Sequence, residues 1–218
     1  MIPLFHDFTE ETVLVVGGGP VGARKARTFA READVLVLSP AFADADFGDA
    51  ERVQAAPEPE DAADWVARAD PALVVAATDD GDVNDAFAEA ARERGALVNR
   101  ADESGGREAD SVVVPATVRD DPVTVAVATG GASPALSKYL REQLEDELAG
   151  AGGMAELTGD LRADLRAAGV DPETRRNAVR AVVRSGPVWK ALRTGGTNAR
   201  QRADDVAADV VGNSEWST

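Results

Sequence analysis

Cysteine is absent from this chain, and histidine occurs once, as His6. These gaps exclude disulfide frameworks, cysteine nucleophiles and histidine–cysteine zinc clusters, so a metal handled here arrives as substrate or sits among oxygen ligands. Lysine is confined to positions 25, 138 and 190, and 39 acidic residues face 23 basic ones, for a formal charge of −16. Nucleic acid is a poor partner for such a surface. A lysine-poor, carboxylate-rich exterior suits a protein in concentrated salt, where the screening length falls to about 3 Å at 1 M. An ordinary acidic cytoplasmic protein is the plainer alternative. No apolar run approaches the roughly 20 residues of a membrane span, and Met1-Ile2-Pro3-Leu4-Phe5 lacks the charged start and apolar body of a signal peptide. The expectation is a cytoplasmic protein with no membrane partner.

With 218 residues there is room for one nucleotide-binding domain and a smaller appendage. The most informative stretch is Val13-Leu14-Val15-Val16-Gly17-Gly18-Gly19-Pro20-Val21-Gly22, an apolar strand turning through glycines into a helix. Gly17, Gly19 and Gly22 occupy the positions of the dinucleotide fingerprint. The first permits the tight turn, the second lets a pyrophosphate approach the backbone, and the third lets helix and strand pack closely. Many strand-to-helix turns need glycine for steric reasons alone, but this one is followed by a helical apolar pattern and a second strand at residues 34–38.

Strands and helices alternate onward: a short strand near Arg52–Ala55, a helix over 60–69, a strand over 72–77, a helix over 82–94 and a strand over 96–99. That order predicts a doubly wound parallel sheet of Rossmann type. Ser111–Val118 and Val123–Ala128, joined by Arg119-Asp120-Asp121-Pro122, read instead as a hairpin. Its apolar face needs a helix or a second subunit as cover, which points to a homodimer. From Ser133 the chain reads helical, with Ser133-Pro134 and Asp171-Pro172 as helix starts and Gly150-Ala151-Gly152-Gly153 as a linker. The expected domains are 1–110, nucleotide-binding; 111–150, a hairpin and helix for dimerisation; and 151–218, helical with a frayed tail.

A site in such a sheet lies at the carboxyl ends of its strands. Candidate cofactor contacts are therefore Gly17, Gly18, Gly19, Pro20, Val21 and Gly22, then Ser39 and Pro40, then Thr78 and Asp79. Ser39 stands where NAD enzymes usually place an acid on the ribose hydroxyls, and no arginine follows at once to receive a 2′-phosphate. Asp79 and Asp80 also read as caps of the helix near residue 82. Asn99 and Asp102 follow a strand end with no helix to cap, so Asp102 is either a turn former or a base beside the nicotinamide. Thr129-Gly130-Gly131-Ala132-Ser133 offers amides and hydroxyls to a carboxylate or phosphate, or is simply a turn before a capped helix.

Taken in order, these segments resemble the precorrin-2 dehydrogenase family, the dehydrogenase and ferrochelatase part of siroheme synthases. The likeness runs from Pro3-Leu4-Phe5 through Val16–Ala26, Ala76-Ala77-Thr78-Asp79-Asp80 with Val83-Asn84, Asn99 with Asp102, and Ser111–Ala116, to Thr129–Leu136 and Arg141. It implies oxidation of precorrin-2 to sirohydrochlorin with NAD⁺, Fe²⁺ insertion as a second step, a homodimer, and Asp102 as the catalytic aspartate. It also implies that Asn99, Thr129, Gly130, Gly131 and Ser133 meet substrate. This chain departs from the family pattern at Ala128, at Arg100 and in the longer loop from Glu103 to Asp110. An NAD(H)-sensing regulatory domain without catalysis is the alternative, since it too opens with a glycine loop.

Overall fold

The computed structural model describes residues 2–101 and 111–212. Strands β1 (Thr12–Val16), β2 (Asp34–Ser39), β3 (Glu51–Gln54), β4 (Leu73–Ala76) and β5 (Leu97–Arg100) form one parallel sheet in the order β3-β2-β1-β4-β5. Its central strands are almost pure valine and leucine because both faces are covered. Val13, Val15, Val37, Leu73 and Val75 pack on one face with Ala23 and Ala26 of α1 (Pro20–Phe29). Leu14, Val16, Leu38, Val74 and Val98 pack on the other with Val66 of α2 (Ala62–Ala69) and Phe87 and Ala88 of α3 (Gly81–Glu93). This is the doubly wound arrangement that the alternation of elements predicts.

The run Ser111–Val118, read as one hairpin strand, divides instead. Ser111 makes a parallel bridge with Val98, and the Val112 N–H donates to the Val98 carbonyl at 2.7 Å, so its first residues extend the parallel sheet beyond β5. Pro115 has no N–H with which to continue a ladder. The hairpin proper is β6 (Ala116–Asp120) paired antiparallel with β7 (Val123–Val127).

Five helices follow: α4 (Pro134–Leu148), α5 (Ala151–Ala167), α6 (Pro172–Val183), α7 (Gly186–Arg193) and α8 (Ala199–Val211). Ser133 caps α4 by accepting the Leu136 N–H, and Asp171 caps α6 by accepting the N–H groups of Glu173 and Thr174, as the sequence predicts. Helix α4 lies against β6 and β7. Leu161, Leu165, Val182, Val188 and Ala203 form the core shared by α5 to α8.

Gly150–Gly153 is not a linker. Helix α5 begins at Ala151 and runs straight through Gly152 and Gly153. A Cβ on Gly152 would stand 2.2 Å from the Asp121 carbonyl oxygen, and its N–H donates to the Asp120 carboxylate at 3.2 Å. Gly152 serves close contact between α5 and the hairpin tip, and Gly153 close contact with Leu192 of α7, which a sequence cannot distinguish from flexibility.

The chain divides into two compact units. One takes it up to Val114 together with Gly130–Ala132, and the other takes Pro115–Thr129 with the chain from Ser133 on. Among the described residues no helix is long and apolar enough to cross a membrane.

Candidate functional site

The glycine turn joins β1 to α1 at the carboxyl edge of the sheet. Gly17 has φ +124°, and a Cβ there would stand 2.3 Å from the Ala77 carbonyl oxygen, so position 17 excludes every side chain on two grounds. A Cβ on Gly22 would lie 1.9 Å from the Gly17 carbonyl oxygen, which is what close helix–strand packing demands. Gly19 differs: nothing lies within 4 Å of where its Cβ would be. It is the N-cap of α1, no side chain caps that helix, and Pro20 needs no acceptor. No side chain competes for the first-turn N–H groups, an arrangement that fits a pyrophosphate. Gly18 holds the neighbouring loop, its carbonyl accepting the Ala43 N–H at 2.8 Å. Val21 sits exposed in the first turn of α1.

At the end of β2, Ser39 is buried and its hydroxyl donates to the Ala41 carbonyl at 2.8 Å. The Pro40 carbonyl accepts from Gln54 Nε2 at 3.1 Å. Ser39 thus shapes the loop under Gly18, with its oxygen lone pairs as the remaining polar function. Arg52, the first guanidinium after Ser39 along the chain, stacks over the rings of Phe42 and Phe47.

After β4 the hydroxyl of Thr78 donates within hydrogen-bonding reach of Asn84 Oδ1 (2.8 Å) and of the Asp80 carbonyl (2.9 Å). Asn84 also accepts the Thr78 N–H at 3.1 Å and returns its own Nδ2–H to the Thr78 carbonyl at 3.0 Å. Asn84 is fully buried, so this closed ring of bonds fixes the segment that presses on Gly17. Candidate-site reasoning passed over Asn84. Its signal is a polar residue within the apolar stripe Val83, Phe87, Ala88 of α3. Of the two expected caps, Asp80 alone does the work, accepting the N–H groups of Asp82 and Val83, and Asp79 stands outside the cap.

At the end of β5, Asn99 is buried and Arg100 pairs with Asp85 of α3. Asp102, with Arg107 and the rest of the loop from Glu103 to Asp110, lies outside the described residues, as does the tail beyond Gly212.

Lys25 follows Gly22 by three positions on α1 and is half-buried. Burial, with Arg24 adding repulsion, lowers its pKa from 10.5 to about 8. Among the described residues it makes no ion pair.

In the second unit, Thr129 Oγ1 donates to the Ser133 carbonyl at 3.1 Å and meets Ser137 Oγ at 3.0 Å, while Ser133 Oγ is engaged as the α4 cap. Both hydroxyls are tied into the turn, and Gly130 and Gly131, which group with the first unit, are in left-handed conformations.

The family described as putative NAD(P)-binding matches residues 4–116, and that described as sirohaem biosynthesis protein, central, matches residues 120–147. The chain is 30% identical to the precorrin-2 dehydrogenase of Methanosarcina barkeri over 98% of its own length and 96% of that protein. It is 33% identical to the siroheme synthase of Thioalkalivibrio sulfidiphilus over 95% of this chain but 42% of that protein. With siroheme synthase 1 of Pectobacterium atrosepticum it shares 36% identity over 74% of this chain and 33% of that one. The chain therefore spans less than half the length of these siroheme synthases. The solved structure of SirC, a precorrin-2 dehydrogenase, has the same fold, with a TM-score of 0.68 at 20% identity, covering 96% of this chain and 100% of that one. The regulatory alternative finds no support, because the likeness continues beyond the NAD-binding domain through the hairpin and helices. A glycine turn built for a dinucleotide, carried on a chain alike from end to end, places this protein in the precorrin-2 dehydrogenase family.

Proposed function

We propose that this chain oxidises precorrin-2 to sirohydrochlorin with NAD⁺, a step in siroheme biosynthesis. The observation that carries the reading is the likeness to the Methanosarcina barkeri precorrin-2 dehydrogenase along nearly all of both chains. Bound NAD⁺ supplies the hydride acceptor. The residues Gly17, Gly18, Gly19, Pro20, Val21 and Gly22 hold its pyrophosphate on the N-terminus of α1. Ser39 and Pro40 border the adenosine ribose, and the absence of a free guanidinium in Ser39-Pro40-Ala41-Phe42 favours NAD⁺ over NADP⁺. Thr78, locked by Asn84, and Asp79 border the other half of the cofactor.

Asp102 is the base that takes the proton lost as the macrocycle gains a double bond, a role worth typically about 10² to 10⁴ in rate. Asn99, Thr129, Gly130, Gly131 and Ser133 meet the substrate, a polycarboxylate whose recognition suits amide donors and hydroxyls. Fe²⁺ insertion is the second activity, Fe²⁺ entering as substrate while Asp102 accepts a pyrrole proton. A second copy of the chain covers the exposed Leu136, Tyr139 and Leu140 of α4, giving a homodimer. The acidic, lysine-poor surface fits work in a saline cytoplasm.

The test incubates the purified protein in high salt with precorrin-2 and either NAD⁺ or NADP⁺, follows cofactor reduction, and then adds Fe²⁺. NAD⁺ is expected to be reduced, and Asp102→Ala is expected to lose about 100-fold or more in rate. A folded protein that leaves precorrin-2 unoxidised sinks the function. An Asp102→Ala variant as fast as the parent sinks the assigned base.

A further inference from the structure

Strand β5 reads Leu97-Val98-Asn99-Arg100, and Asn99 is an anomaly within it. It is 6% exposed, and by register it stands beside Val75 of β4, on the sheet face that carries Val13, Val15, Val37 and α1. Its Nδ2–H donates to the Val112 carbonyl at 2.8 Å, which ties β5 to the segment after it and fixes which way the amide points. Its Oδ1 is buried and has no partner among the described residues. Structure alone explains half of this residue: the tie to Val112 needs a donor, and the acceptor is left over. A buried carbonyl without a donor is unfavourable, and such atoms mark places where a missing group belongs.

Chemistry and position narrow what that group is. An amide oxygen accepts from an N–H or O–H, so an ionised carboxylate or phosphate, which carries no hydrogen to donate, does not answer it. Asn99 is the second-to-last residue of β5, two strands from the β1 glycine turn in the order β1-β4-β5. With strands about 4.8 Å apart, that is roughly 10 Å along the carboxyl edge from Gly17. A dinucleotide seated by its pyrophosphate on the glycine turn extends one arm toward β2 and Ser39 and the other toward β4 and β5. The arm on the Asn99 side ends in nicotinamide, whose carboxamide presents an N–H pair.

We propose that Asn99 is a positioning residue whose Oδ1 accepts a hydrogen bond from the nicotinamide carboxamide, with Nδ2 held by Val112. The proposal rests on the NAD⁺ reading above and adds to it the residue that sets which way the nicotinamide faces. Asn99 thereby touches the cofactor itself, beyond any contact with substrate. The partnerless oxygen is satisfied only in the holoenzyme, so the cofactor completes the polar accounting of β5.

Equilibrium binding of NAD⁺ and of 3-acetylpyridine adenine dinucleotide, in which a methyl replaces the carboxamide NH₂, tests this without any turnover. The parent is expected to prefer NAD⁺ by about tenfold, the worth of one well-made hydrogen bond. Asn99→Ala is expected to bind the two dinucleotides equally. Asn99→Asp, ionised near neutral pH, keeps an acceptor for the carboxamide N–H but loses the donor to Val112, so it is expected to restore the preference while lowering the melting temperature. A preference unchanged in Asn99→Ala, with only the melting temperature lowered, overturns the proposal and leaves Asn99 a tie to Val112. Unchanged dinucleotide binding with weakened tetrapyrrole binding also overturns it, assigning the donor to the macrocycle. Failure of the parent to bind NAD⁺ at all overturns the cofactor reading instead, and failure to oxidise precorrin-2 while the NAD⁺ preference holds overturns the substrate reading alone.

Discussion

Helices α3 and α4 are of similar length and both carry strong caps, yet α3 buries Val83, Asn84, Phe87, Ala88, Ala90 and Ala91, whereas no residue of α4 is buried. The first helix is clamped on a sheet that supplies a full apolar face. Among the described residues the second lies chiefly against a two-stranded hairpin, with Arg193 of α7 bonding its last turn, and it leaves Leu136, Tyr139 and Leu140 exposed. A parallel sheet with helices on both faces is complete in one chain. A hairpin with one helix is not, since two strands make a marginal platform and the apolar residues left over form a surface that association covers.

The sharpest way to break this contrast is to truncate one large residue on each helix. Phe87→Ala should destabilise the protein by about 3–5 kcal/mol, because it leaves a cavity in a closed core. Leu140→Ala should change urea unfolding of a dilute sample by no more than about 0.5 kcal/mol. The same variant should weaken self-association in sedimentation equilibrium. Equal losses at both positions, with no change in association, would remove the distinction.

Next in size is Gly152→Val, which forces a side chain into the Asp121 carbonyl. About 1–3 kcal/mol of overpacking is expected, read as a lower melting temperature, while NAD⁺ binding by the other unit stays at the parent value.

The smallest effect concerns Lys25, a charge half-buried beside the glycine turn. Its folded pKa of about 8 lies below the 10.5 of the free side chain, so between those values the unfolded chain holds the extra proton. Stability should then rise as pH climbs from 8 to 10.5, the cost of burying the charge being fully present only below 8. Lys25→Met should be more stable than the parent near pH 7 by about 1 kcal/mol, since partial exposure screens the charge, and the gap should close as pH rises through that window. A gap that stays constant with pH would place its origin in packing.

The parallel sheet was legible because its signals are local: valine-rich runs of strand length, glycines where β1 meets α1, and Asp80 and Ser133 at helix starts. Three features were not. The run Ser111–Val118 carries apolar residues on both sides of Pro115, and although that proline interrupts a ladder, nothing local says that Ser111 and Val112 pair with β5 while Ala116 onward pairs with β7. Gly152 and Gly153 look like a hinge in sequence and are a close contact in space. Thr78 reads as a cofactor contact at a strand end, and only the fold shows that its hydroxyl is bonded to Asn84, six residues on.

By itself, the order of amino acids determined the class of fold, the place of the glycine turn between β1 and α1 and the caps of the later helices, because each depends on residues within a few positions of one another. Tertiary structure alone decided which polar groups near that turn are already spent and which are left over. Ser39 and Thr78 are engaged, and Asn99 keeps an oxygen without a partner among the described residues. The physical reason is that a hydrogen bond is a property of two groups brought together, and only the folded chain says which groups meet.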